Sequence, residues 1–257
     1  MPTRKSALVG LLATLVLNST FAAAQDTEKM SIATLEWPPY TGAELPQGGA
    51  TTAVARQALA AVGLETDVSY GPGRRAIAMA QNNTGGVVAY FPGYHCRHVD
   101  GFIASNPIGN GPLGFAENTE APLVWESVDD IGERKLAIGT VLGYANTDEF
   151  DAKAGTGWLR TIPAKDDITN LKKLLRQRID AAVIDKMVLS YLLATTPELR
   201  PEAKNLRFNE KPLEEKTLYM CFNDTEEGRE LRATFNEGIK HIDVDELVDA
   251  YFAREFE

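Results

Sequence analysis

Apolar residues change their spacing along this chain in a repeated order, strand-like alternation giving way to helical spacing and back. Ser31 to Leu35 predicts a strand that stops at the turn Trp37-Pro38-Pro39-Tyr40. Thr51 to Val62 carries apolar residues at helical spacing and ends at Gly63, a good carboxyl-terminal cap. Thr66 to Tyr70 then predicts a short strand, Arg74 to Gln81 a helix and Gly86 to Phe91 a buried strand. A central block repeats the order: strand Lys135 to Gly139, helix Thr147 to Ala152, strand Leu159 to Ile162, helix Ile168 to Arg176, strand Ala181 to Ile184, helix Lys186 to Leu193. Pro112 to Ala116 and Thr217 to Phe222 predict strands at the edges of that block, and helices over Glu226 to Lys240 and Val244 to Arg254 close the chain. Strands alternating with helices predict parallel sheets covered on both faces.

Polar segments, Glu117 to Pro122 and Glu210 to Glu215, bracket the central block. They are the natural crossing points for a chain that leaves one lobe, builds a second and returns. The expected division is residues 25–116 and 218–257 for the first lobe and 117–217 for the second. Two crossings make a hinge, and a hinge between α/β lobes puts a ligand in the cleft.

The amino terminus changes the picture of where the chain works. Arg4 and Lys5 precede an apolar run from Ala7 to Leu17, and Ala22-Ala23-Ala24 supplies small residues before Gln25. That order fits signal-peptidase cleavage near Ala24. The run falls short of the roughly twenty residues a membrane span needs, so residues 1–24 read as a removed signal peptide, with a retained anchor as the alternative. Cys96 and Cys221 suit an oxidising compartment, where a pair can bridge. Two separate buried thiols are the other reading. The formal net charge of -10 argues against nucleic acid or an anionic membrane as partner.

Two stretches carry candidate chemistry. One runs from Cys96-Arg97 to a Ser105-Asn106-Pro107 turn; the other is Arg178-Ile179-Asp180-Ala181-Ala182-Val183-Ile184-Asp185. A zwitterion needs a guanidinium fork for its carboxylate and an anionic acceptor for its ammonium, both away from water. Asp185 falls at the carboxyl end of a buried strand, where α/β proteins bind ligands, while Asp180 suits a cap or turn. Gly143-Tyr144 leads into a helix start at Asn146 and Thr147, either of which also suits an ordinary cap.

These stretches resemble the polar amino-acid-binding family of bacterial periplasmic solute-binding proteins, family 3 of the substrate-binding proteins of ABC transporters. The resemblance implies a two-lobed type II periplasmic-binding-protein fold of class α/β, a periplasmic location, a membrane permease as partner and no catalysis. It implies that Arg97 takes a ligand carboxylate, that Asp185 takes an ammonium, that Trp37 stacks on the ligand and that Tyr40 lines the cleft. Tyr90 and Tyr144 are placed by it among the lining residues. No cofactor or metal is expected, and a monomer is. The chain departs from the family where Pro92 replaces a small hydroxyl residue, Tyr144 replaces Thr or Ser, and Cys96 replaces Glu. The charge pair is kept while part of its hydrogen-bonding shell is not, so a small polar, zwitterionic solute is expected, with another small amine, acid or polar metabolite as alternatives to a standard α-amino acid. Rival readings are a metal at His95, Cys96 and His98, a dehydratase-like cleft enzyme using Asp185 or a histidine, and a ligand-sensing component.

Overall fold

Met30, Ile32 and Thr34 turn inward along β1 (Lys29–Leu35), with Ala33 also buried, so the strand is central rather than half-solvated. The computed structural model describes Met1 and residues 28–96 and 99–255. The expected signal peptide, Arg97 and His98 lie outside the described residues.

β1 pairs in parallel with β2 (Glu65–Gly71) and β3 (Val87–Gly93). α1 (Ala50–Ala61) and α2 (Gly73–Gln81) form the crossovers. The later half repeats this arrangement: β5 (Ala137–Val141) lies parallel to β6 (Arg160–Ala164) and β7 (Ala181–Asp185). α4 (Asp148–Gly155), α5 (Asp167–Leu175) and α6 (Lys186–Thr195) accompany these strands. Side-chain caps start each of those helices. Thr147 accepts from the Phe150 N–H, Asp166 from Thr169, and Asp185 from Met187 and Val188.

Two long strands join the halves. β4 (Phe102–Asn118) pairs antiparallel with β9 (Glu214–Asn223) from Phe102 opposite Asn223 to Leu113 opposite Glu214, and its far end pairs with β7. The two parallel halves expected from the sequence are therefore edges of one curled ladder, ordered β2-β1-β3-β9-β4-β7-β5-β6, with β8 (Leu206–Phe208) paired to β4. The Ser105-x-Pro107 turn is instead an irregularity inside β4. Pro107 has no N–H to give to the ladder, so the strand bulges, and the Ser105 hydroxyl accepts the Met220 N–H at 3.0 Å. The short α3 (Val128–Glu133) follows the first polar segment.

The Cys96 and Cys221 sulfurs are bonded. The disulfide ties the loop after β3 to β9 and sits in a core with Ala33, Ala76, Val87 and Phe102. α7 (Glu226–Ile239) and α8 (Val244–Glu255) pack Phe235, Val248 and Phe252 over α1 and the first half of the ladder.

Candidate ligand-binding cleft

Parallel strands point their carboxyl ends one way, and the loops beyond those ends converge. Trp37 and Tyr40 follow β1, Tyr94 and His95 follow β3, Tyr144 follows β5, Asp167 follows β6, and Asp185 ends β7. Residues far apart in sequence thus meet where the two halves of the chain face one another.

The central contact is between Tyr40 and Asp185, both buried. The Tyr40 hydroxyl donates to the Asp185 carboxylate, 3.1 Å from each oxygen. Oδ1 also accepts the N–H groups of Met187 at 2.7 Å and Val188 at 3.1 Å. Oδ2 receives only its share of the Tyr40 proton among the described residues. Gly111 of β4 makes this approach possible, because a side chain there would collide with both the Tyr40 hydroxyl and Oδ2.

Aromatic rings wall the site. Trp37 stacks on Tyr40 with centroids 4.5 Å apart and meets the Tyr94 ring in an edge arrangement at 6.1 Å. Phe252 closes on Tyr40 from α8. Further contacts cross between the halves: His95 Nε2 lies 3.5 Å from Asp148, and the Arg74 guanidinium lies against Gly143.

Burial sets the electrostatics. It pushes the Asp185 carboxyl up to about 7, against the lowering effect of the Val188, Met187 and Tyr40 donors. Asp167, also buried, rises to about 7 through burial, then Asp166 and Asp185. Tyr40 and Tyr94 are held well above the ordinary tyrosine range by burial and then by the Asp185 charge. Two carboxyl groups that resist ionisation favour a cation between or beside them.

Of the residues expected from sequence, Trp37, Tyr40 and Asp185 come together, and Tyr144 stands at the rim, 39% exposed. Tyr90 belongs to the disulfide-side core, edge-on to Phe102. Asp180 anchors its own half by accepting the Ala137 N–H at 2.6 Å. The disulfide removes the Cys96 thiolate from any metal-ligand set with the neighbouring histidines. Sequence reasoning missed Tyr94, Asp167 and the buried Lys216. Asp166-Asp167 offered a signal, since one acid suffices to cap a helix and the second needs another reason. A separate surface concavity of about 720 Å³, lined by Asn82, Asn83, Asn223 and Glu226, includes none of the cleft residues.

No protein-family model matches the sequence, and no curated protein matches it. Solved structures do match. The GluR0 ligand-binding core from Nostoc punctiforme in complex with L-glutamate is 16% identical, with a TM-score of 0.67, covering 88% of this chain and 99% of that one. The amino acid ABC transporter substrate-binding protein AbpA from Streptococcus pneumoniae, bound to L-arginine, is 15% identical, with a TM-score of 0.66 and coverage of 89% and 96%. The VFT2 domain of BvgS from Bordetella pertussis is 17% identical, with a TM-score of 0.66 and coverage of 88% and 92%. The chain therefore has the two-lobed α/β fold of the type II periplasmic binding proteins and resembles the family 3 solute-binding proteins in structure. Among the described residues no helix is long and apolar enough to cross a membrane.

Proposed function

We propose that the protein, exported to the periplasm after loss of residues 1–24, captures a small zwitterionic solute between its lobes for delivery to an ABC-transporter permease. Residues 117–217 form the second lobe in this reading, and the β4/β9 ribbon is the hinge. One observation carries it: Asp185 presents a buried carboxylate, with one oxygen lightly used, to aromatic rings from the opposite half. A ligand ammonium satisfies that oxygen and gains cation–π attraction from Trp37, Tyr40 and Tyr94. Arg97 takes the ligand carboxylate as a two-toothed fork. Tyr144 shields the rim. Solute binding selects the closed arrangement, which the permease reads as a monomeric, loaded carrier.

Native mass spectrometry of protein purified without refolding tests this directly. The expected spectrum shows one amine-bearing small molecule per chain, lost in Asp185→Asn. Cargo without an amine, or cargo retained equally by the variant, would sink the assignment.

A further inference from the structure

Lys216 is a buried charge that the reading above leaves unused. Its side chain is 2% exposed. It stands in β9 opposite Gly111 of β4, and directly opposed residues put their side chains on one face of a ladder. That face is the one where a side chain at Gly111 would meet the Tyr40 hydroxyl and the Asp185 carboxylate. The Lys216 ammonium lies over the Tyr94 ring, 5.3 Å from its centroid. Tyr94 meets Trp37, Trp37 stacks on Tyr40, and Tyr40 reaches Asp185. A buried cation and a buried anion thus terminate one row of aromatic rings.

The cation has capacity to spare. An ammonium carries three N–H donors. Lys216 Nζ is 3.0 Å from Glu214 Oε2, within ion-pair distance, yet among the described residues it makes no hydrogen bond of sound geometry. The distance reports attraction and the angle reports unspent donors. Glu214 is 45% exposed, so water screens the pair and an incoming anion displaces it at small cost. Leaving a buried ammonium without hydrogen bonds is costly unless a partner arrives.

We propose that Lys216 is a ligand-binding residue that receives a carboxylate of the solute, so that the cleft selects a compact amino compound with two carboxylates. The inference rests on the proposed roles of Asp185 and Arg97, which account for one ammonium and the first carboxylate. A neutral amino acid leaves Lys216 unsatisfied, and a basic one brings a second cation toward it.

Calorimetry on the mature chain with L-glutamate, L-aspartate, L-alanine and L-arginine tests it, comparing wild type with Lys216→Met and Lys216→Arg. The expected result is that an acidic amino acid binds wild type tightest and that Lys216→Met weakens it by about tenfold or more. L-alanine should change by less than about threefold in the same variant, and Lys216→Arg should keep the acidic preference. Wild-type affinity for the acidic ligands in a folded Lys216→Met protein would overturn the role of Lys216 while leaving the binding function standing. A wild type that prefers L-alanine or L-arginine, or binds none of the four, would overturn the two-carboxylate class. Cargo found by native mass spectrometry would then still support the broader reading. Should Lys216→Met fail to fold, the wild-type ranking and Lys216→Arg decide the question.

Discussion

Asp185 is buried with its two oxygens in different circumstances, and burial decides its acidity. Burial raises the carboxyl to about 7, while the Val188 and Met187 N–H groups and the Tyr40 hydroxyl act the other way. Asp167 is raised similarly, by burial first and then by the Asp166 and Asp185 charges. A carboxyl raised in the folded state is protonated in both states below about pH 4, the ordinary aspartate value. Its contribution to stability is whole there and is lost as pH rises through about 7. The ligand-free protein is therefore expected to unfold at lower denaturant as pH climbs through that interval, and Asp185→Asn should flatten part of the slope. Ligand affinity should run the opposite way, since an ammonium needs the ionised carboxylate. Equal slopes for wild type and variant in urea titrations would contradict the burial of Asp185.

At the scale of elements, the disulfide and the β4/β9 ribbon fix where the site residues stand. A bridge between Cys96 and Cys221 closes a loop of 125 residues, and restricting the unfolded chain over that length contributes about 4–5 kcal/mol. Intact mass after alkylation without reductant should show no labelled thiol, and reductant should lower the melting temperature; two labelled thiols would refute the bond in exported protein. Gly111→Ala should weaken the Tyr40–Asp185 closure by about 1–3 kcal/mol, because Asp185 is pinned by its helix and cannot retreat. Calorimetry with the identified cargo reads that as lost affinity, and an unchanged affinity would show that the contact is not part of the bound state. Most helices and strands were legible from apolar spacing, since each buries one regular face. β4 was legible only over Pro112 to Ala116, because Pro107, Gly109 and Gly111 suit a loop while the long ladder with β9 holds them extended. Nor was the character of Glu117, which the sequence offers as part of a polar crossing. It is buried and accepts from Arg207 at 2.6 Å, Asn209 at 2.5 Å and the Leu123 N–H at 3.0 Å, tying the end of β4 to β8.

At the scale of the whole molecule, closure brings together groups that no local pattern connects. Trp37-Pro38-Pro39-Tyr40 and the Asp185 strand end were visible as separate motifs, and the fold places them in one cleft. Tyr94, Asp167 and Lys216 carry no motif: Tyr94 and Asp167 come to the cleft just beyond β3 and β6, and Lys216 is buried by the pairing of β9 with β4. Charge on the surface says little about the ligand, because affinity is set in a desolvated cleft and not by screened exterior acids. The proposed function divides the ligand between two charges, Asp185 for the ammonium and Arg97 for the carboxylate. The most direct test is calorimetry of the solute found by native mass spectrometry against wild type, Asp185→Asn and Arg97→Lys. Each variant should bind about tenfold more weakly or worse, since a charge-assisted contact contributes about 1.5–3 kcal/mol. Wild-type affinity in both variants would contradict the account.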